Sequence, residues 1–576
     1  MEEANNHFEG NMNIQQVNPT GVNNINKNNK KVELKRKVTM NHYINVTLDN
    51  MGFTRYHLLL FLTNALFLFC EGMNEIIHII LLSMIDEKHD LSNYHLAFMN
   101  SIEYFGYSIS TLLVNYITNL IKRKYAILIS VFVSLVCTGL SITSFNFIFA
   151  SINRFILGFC FGILDILIYL NLFESLPTKI RGFVSTMILL FFPLGEFALS
   201  LTCYFKLKEG QMEVNYKFML LFPFIFTCII CLSAIFLQES PRELFFGKQE
   251  YEKGAESFKK INEFNRDESN KNKFNFGDPE VEKAANDISI ELGIMSNQDN
   301  HEAQNENEFQ DNIKDNKNIQ KSLLRQESNN NIFKMARLRQ LFSQEYLRYT
   351  LLFWILGSFS GFIFYGIHFM LPATAPKINK NTFLDLVLFE SMEIPPNFFA
   401  MLLIENKGLG RKNTIRAGFI ITFIISLINI YLGETILLFD CLLKFSLTIP
   451  LNILFVYSSE IYDSHIRTLG LSLMNFWKKI SSLFSPFFMS YILTKYGEFS
   501  THLCYAPLLA ICAFGSLFLS IETRGRALDE IIILDFRLFF RIYFLWYSFH
   551  ATRNSSKNKQ IYIFRFGFIR IYGNTS

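Results

Sequence analysis

Charge is scarce in this chain: only 18% of its 576 residues are Asp, Glu, Lys or Arg, and the formal balance is +4. So small an excess excludes a nucleic-acid-binding surface, the more so because the basic residues sit beside apolar runs. Paired metal-ligand spacing is missing as well. The nine cysteines all lie in or at the edge of apolar runs, and the C-x-x-C of Cys228 and Cys231 has no second ligand pair. Packing, rather than zinc or redox chemistry, is the expected use of these thiols. No phosphate-binding Gly-Lys-Ser/Thr loop occurs, which argues against ATP-driven work and against a phosphotransfer enzyme. No catalytic residue, metal ligand or cofactor is therefore expected. No signal peptide precedes the first apolar run, because residues 1–50 are polar and Asn-rich; that run is expected to anchor itself.

What the chain has in abundance is apolar and aromatic material, 50% and 16% of residues, with 63 Phe. It is gathered into runs about 20 residues long, the length that crosses a bilayer core of roughly 30 Å. A soluble domain has nowhere to bury so many runs. Backbone groups in lipid must be satisfied within the segment, so the runs are helices. The reading is an all-α polytopic membrane protein with twelve transmembrane helices in two six-helix bundles. Spans are predicted near 57–85, 94–121, 124–145, 147–173, 182–205 and 217–238, then near 349–371, 382–404, 413–433, 435–457, 468–493 and 502–521.

The domains follow: an N-terminal tail over 1–56, a first bundle over 57–238, a central loop over 239–346, a second bundle over 347–521 and a C-terminal tail over 522–576. The tail is expected to be disordered, as is the loop outside a helical stretch near 242–262; residues 1–31 and 265–330 have the Asn-, Lys- and Glu-rich composition of disordered chain. Lys and Arg number ten in the short loops on one side and seven on the other. The flanking Arg55, Arg242, Arg337, Arg348 and Arg524 all fall on the richer side. The positive-inside rule then places both termini and the central loop in the cytosol, in a plasma or intracellular vesicle membrane.

Three motifs recur in the same order in the two bundles. Arg123 after the second span matches Arg411 after the eighth. Glu174 and Arg181 in ESLPTKIRG match Glu460 and Arg467 in EIYDSHIRTLG, each pair seven residues apart. Glu239 and Arg242 in ESPR match Glu522 and Arg524 in ETRG. The offsets are 288, 286 and 283 residues, the mark of a duplicated six-helix unit. Such duplication is the architecture of alternating-access carriers, with the solute cavity between the halves.

These residues resemble the major facilitator superfamily over roughly 50–262 and 347–530. QESPRELFFGKQEYEKGAESFKKI resembles the stretch following the sixth helix in sugar and organic-ion members, and ETRGRALDE resembles the end of their twelfth helix. NMGFTRYHLLLF leading into CEGMNEIIHIILLS, and the run from Glu460 to Pro486 with Lys479 at a basic position, are similar to organic-ion carriers and the synaptic-vesicle-protein-related (SVOP-like) group. The first-half loop departs from the family pattern, with Asn119, Leu120 and Lys122 at its Asp, Arg and second Gly positions. The Gln-rich seventh helix of sugar porters is replaced by LGSFSGFIFYG.

A mid-bilayer carboxylate costs roughly 2.5–3.5 kcal/mol, so it should face a cavity or a partner. Glu71, Glu75 and His78 form one stripe on the first helix, at about 0°, 40° and −20°. Arg154, Gly158, Gly162, Asp165 and Tyr169 share an arc of about 80° on the fourth. Glu196 lies in the fifth span, Lys478 and Lys479 in the eleventh, while Asp440 and Lys444 are one turn apart and could neutralise each other. Glu71, Glu75, His78, Asp165, Tyr169, Glu196, Lys478 and Lys479 are the candidates for solute or ion binding. The carboxylates suit an organic cation or proton coupling; the lysines suit an anionic solute. The loop residues Arg123, Glu174, Arg181, Glu239, Arg242, Arg411, Glu460, Arg467, Glu522 and Arg524 are the candidates for a cytosolic gate. Pro193, Pro395 and Pro396 are expected to bend the fifth and eighth helices.

The function expected is that of a monomeric secondary active transporter of a small organic solute, an organic ion, with H+ or Na+ as coupling ion and the lipid bilayer as its surroundings. A sugar transporter of the same superfamily, or a non-transporting receptor or scaffold derived from it, is the alternative.

Overall fold

The computed structural model describes residues 44–89, 93–142, 146–206, 212–247, 251–263, 338–374, 380–432, 437–497 and 499–525. The expected tail regions 1–43 and 526–576, and most of the central loop, lie outside the described residues. Twelve long helical segments run through the rest, numbered here in chain order. The first half holds α1 (Arg55–His89), α2 (Asn93–Leu120), α3 (Arg123–Ser141), α4 (Phe147–Ser175), α5 (Arg181–Lys206) and α6 (Met212–Ile235). In the second half are α7 (Leu347–Thr374), α8 (Lys380–Ser391 continued by Ile394–Ile404), α9 (Gly410–Leu432), α10 (Leu437–Ile461), α11 (Ser464–Tyr496) and α12 (Phe499–Ser516). Every end lies within five residues of its sequence-predicted position.

Two helices are interrupted where proline predicts it. A 3-10 turn, Ile188–Leu190, breaks α5 just before Pro193. The break in α8 falls at Met392 and Glu393, with Pro395 and Pro396 in the first turn of the continuing piece. Proline removes a backbone donor and crowds the carbonyl four residues back, so the preceding turn tightens or opens.

Ten of the twelve helices are long and apolar enough to span a bilayer by composition alone; α2 and α11 fall short. Those two pack against each other across the halves, so their polar positions face protein rather than lipid. The second contact between halves joins α5 to α8. Duplication makes the two seams equivalent, since α2 corresponds to α8 and α5 to α11. Outward faces carry the apolar residues that remain exposed, such as Ile148, Phe205, Leu402 and Phe514.

Glycines set the closest approaches. A Cβ on Gly162 of α4 would lie 2.8 Å from the Tyr107 carbonyl of α2, and one on Gly158 would lie 3.0 Å from Glu103 Cγ. Any larger residue forces these helices apart.

One stretch corrects the sequence reading. Residues 44–51, expected in a disordered tail, form a helix with Ile44 and Leu48 fully buried. Its Asp49 carboxylate accepts from the Thr178 backbone N–H at 2.7 Å. Residues 44–51 and 522–525 both lie on the face that carries the three repeated motifs, called the motif face below.

Candidate functional site

Glu71 and Glu75 project from α1, Asp165 from α4, and Lys478 and Lys479 from α11. Glu71 lies within electrostatic reach of Asp165, Lys479, Glu75 and Glu103. The link between halves is aromatic. Lys479 Nζ donates to Tyr365 Oη of α7 at 2.6 Å and sits 4.0 Å from the Tyr107 ring centre, with Tyr365 at 4.7 Å and Tyr104 at 5.4 Å. The same tyrosines hold the carboxylates. Tyr107 Oη donates to Asp165, and Tyr104 Oη donates to Glu75 at 3.3 Å. Lysine thus occupies a cage of three ring faces, an arrangement that stabilises an ammonium without a carboxylate partner. Asp165 and Glu75 keep partial exposure, although Leu164 and Ile166 beside Asp165 are sealed. Both acids are therefore partly accessible.

The remaining intramembrane candidates are placed differently. His78 is buried at 1% exposure. Tyr169 lies one turn beyond Asp165 toward the motif face, its hydroxyl 3.2 Å from Ser459 Oγ and its ring 4.6 Å from Phe455, both on α10. It is a contact between halves, not a member of the cage. Glu103 is paired with Arg154 at 3.3 Å. Glu196 belongs to a second group at the α5–α8 seam with His368, Glu390, Glu393 and Lys444. Here the expected Asp440–Lys444 pair is corrected. Lys444 bonds Glu390 and reaches Glu393 at 3.0 Å, while Asp440 faces His502 at 3.7 Å. Helical spacing put Asp440 within reach, but two carboxylates on α8 offer a buried partner at Lys444's own depth.

On the motif face the loop residues form a layer. Glu174 is fully buried and takes Arg123 at 2.9 Å and, from the other half, Arg467 at 3.4 Å. Arg123 also reaches Glu243 at 2.8 Å and donates to Thr468 Oγ1 across the halves at 2.5 Å. The altered first-half loop thus keeps its basic residue engaged. Arg242 donates to the Glu174 carbonyl at 3.2 Å and to the Asn45 side chain. Glu239 lies in the field of Arg123, and its carbonyl accepts from Ser257 at 2.8 Å. In the second half, Glu460 takes Arg411 at 3.2 Å and the Thr523 hydroxyl. The Glu522 carboxylate accepts from the Arg411 and Lys412 backbone N–H groups at 2.9 and 3.1 Å, capping α9 from a distance. Gly410 makes this possible: its φ is +63°, and a Cβ there would sit 2.6 Å from that carboxylate. Arg524 lies 3.9 Å from Glu405 and shares it with Arg411. Arg181 has no carboxylate within ion-pair distance among the described residues. It donates to the Leu176 carbonyl at 3.0 Å and lies over the Phe173 ring.

The profile of the family described as "Sugar (and other) transporter" matches residues 82–288 and 294–534. The chain belongs to this family. This member of the major facilitator superfamily falls in its SVOP-like and sugar-transporter group. It is 21% identical to SVOPL of Mus musculus over 87% of this chain and 95% of that one. It is 26% identical to the synaptic vesicle 2-related protein of Rattus norvegicus over 34% of this chain and 40% of that relative. The match to the niacin transporter NiaP of Acinetobacter baylyi is 26% over 34% and 45%. In the first alignments the chain spans only 28% to 40% of the curated relatives' length. Among solved structures, the proton:xylose symporter XylE bound to 6-bromo-6-deoxy-D-glucose superposes with a TM-score of 0.62 at 15% identity, over 83% of this chain and 99% of that one. Inward-open XylE from E. coli gives 0.54 at 16% identity, over 83% and 98%. These structures share the major facilitator fold with this family member, a multi-pass membrane protein and not an enzyme.

Several residues escape sequence reasoning. Tyr104, Tyr107 and Tyr365 carry no charge and stand among many aromatics, so only their convergence on Lys479 reveals them. His368, Glu390, Glu393 and Lys444 are polar residues of apolar runs, but they come from three helices and show no common spacing. Glu243 was legible as the second glutamate of ESPRE.

Proposed function

We propose that the protein is a secondary active carrier that moves a small organic ion by alternating access, with the acidic group of the solute docking on Lys479 and a proton travelling on Glu75 or Asp165. One observation carries this reading: a buried cation of the second half rests on tyrosines that hold two carboxylates of the first half. A solute anion offers Lys479 a charge partner at ion-pair distance, which no carboxylate among the described residues supplies, and the three rings offer apolar and stacking contact. A carboxylate that exchanges a phenol donor for a proton is a ready coupling group, as intramembrane acids are in pumps and transporters. The kinship with a niacin transporter, whose solute is a small aromatic acid, supports this choice.

The motif face is cytosolic in this proposal, with both termini on it, as the Lys and Arg bias indicates. Glu174 with Arg467, and Arg123 with Thr468, keep that face shut while the other side admits solute; rupture of these contacts lets the halves rock about the α2–α11 and α5–α8 seams. The sugar reading is the second one, supported by the family description and by the kinship in fold with a xylose symporter.

The test begins with thermal stabilisation of purified protein by panels of organic anions, organic cations and sugars. Uptake of the stabilising class into proteoliposomes then follows under an inward-directed proton gradient. Anions should stabilise wild type, and Lys479→Gln should weaken them about tenfold or more, the loss of roughly 1.4 kcal/mol. Glu75→Gln should fold normally and transport without response to the proton gradient. Stabilisation by sugars alone would overturn the organic-ion reading, and unaltered pH dependence in Glu75→Gln would remove the proton from that residue.

A further inference from the structure

The α5–α8 seam holds a group of side chains that the solute path does not use. Glu196 comes from α5 in the first half; His368, Glu390, Glu393 and Lys444 come from α7, α8 and α10 in the second. One ligand atom each of Glu196, His368 and Glu390 lies within 4.8 Å of the other two. Glu196 is 1% exposed and Glu390 is fully buried, yet Glu196 Oε2 and Glu390 Oε1 have no hydrogen-bond partner among the described residues. The other atoms around them are occupied. Lys444 bonds Glu390 Oε2, reaches Glu393 Oε1 at 3.0 Å and rests 3.9 Å from the Phe389 ring centre.

The histidine is oriented as well. His368 Nε2 lies 3.1 Å from Glu393 Oε1, and that carboxylate accepts, so Nε2 carries the proton of the neutral ring. Nδ1 then offers a lone pair, 3.8 Å from Glu390 Oε1 and outside hydrogen-bond range. Three acceptor atoms thus converge with no donor among them. A carboxylate that fixes the far nitrogen of an imidazole is the arrangement that orients metal-binding histidines. Charge points the same way. With all three carboxylates ionised, Glu196, Glu390 and Glu393 would bring three negative charges against one on Lys444, and a divalent cation would cancel the remaining two.

We propose that Glu196, His368 and Glu390 bind a divalent transition-metal cation of the Zn2+ or Mn2+ class, with Glu393 orienting the histidine. An imidazole nitrogen beside two carboxylate oxygens favours this class over Mg2+ or Ca2+, which prefer all-oxygen shells. The ligands span both halves, so occupancy ties α5 to α8 and stabilises the arrangement in which this seam is closed. The inference is independent of the solute on Lys479.

The experiment uses the full-length protein in lipid nanodiscs, stripped with a chelator and titrated with Zn2+, Mn2+, Co2+, Mg2+ and Na+. Calorimetry, thermal stability and the visible absorption of bound Co2+ are read; transport is not. Wild type should bind one Zn2+ or Mn2+ per chain with a raised Tm, and Co2+ should develop ligand-field bands. Glu196→Gln, nearly isosteric, and His368→Gln, at the partly exposed edge of the group, should each weaken binding about tenfold or more. If one variant fails to fold, the other still decides. Absence of saturable divalent binding, binding unchanged in both variants, or stabilisation only by Na+ or by acid would overturn the proposal; the last outcome would make the group a sodium or proton site.

Discussion

The two copies of the repeated motif carry the same glutamate and arginine seven residues apart, yet the charges are wired unequally. Glu174 is fully buried between Arg123 of its own half and Arg467 of the other. Glu460 bonds within its own half, to Arg411 and Thr523. Arg181, the counterpart of Arg467, lies in the field of Glu460 but donates to a carbonyl instead. Phe173 stands between the two arginines, 5.7 Å from each guanidinium carbon. Duplication therefore supplied two equal Glu–Arg sets, and the packing of one half on the other joined the glutamate of the first set to the arginine of the second, without the reciprocal Glu460–Arg181 ion pair among the described residues. Opening this face breaks one ion pair between the halves among the described residues, where a symmetric arrangement would break two.

The largest expected effect is at Glu174. Glu174→Gln leaves two buried arginines without their shared carboxylate, a loss of about 3–5 kcal/mol for the shut motif face. Alkylation of a Ser459→Cys reporter, beside Tyr169 in the contact between halves, should accelerate strongly, and Tm should fall. Equal labelling with and without the substitution would show that Glu174 does not hold this face closed. Glu460→Gln should be milder, about 1.5–3 kcal/mol, because Arg411 keeps the Ile404 carbonyl at 3.3 Å and Glu405 at 3.6 Å. Its effect should appear in Tm with little change in reporter labelling; a response matching that of Glu174→Gln would erase the asymmetry. The smallest effect belongs to Arg181→Gln. With no carboxylate to strand, it should leave Tm unchanged or slightly raised, and a drop as large as that of Glu460→Gln would mean that Arg181 and Glu460 act as a pair.

The twelve helices were legible because each is a local matter. An apolar run of bilayer length must close its own backbone hydrogen bonds; proline marks the breaks in α5 and α8, although Pro223, Pro450, Pro486 and Pro507 sit inside helices that continue unbroken. The stripe of Glu71 and Glu75, and the glycine face of α4 that meets α2, follow from helical periodicity alone. Partner choice was not legible. Lys444 had Asp440 one turn away and took Glu390 and Glu393 from another helix. Tyr169 shares a face with Asp165 but spends its hydroxyl on Ser459 of the opposite half. The helix over 44–51 was hidden because its two buried aliphatics, Ile44 and Leu48, stand in a polar, Asn-rich stretch.

The sequence by itself determined the number and place of the long helices, the duplication, and the position of each ionisable residue along its helix. Periodicity and spacing act within one helix, and those properties need nothing else. Tertiary structure alone decided which charges meet: Lys479 with three tyrosines, Glu174 with both halves, and Glu196 with His368 and Glu390. In a low-dielectric interior a charge goes to whatever partner the packing brings within a few ångströms, and residues hundreds of positions apart leave no common spacing to read.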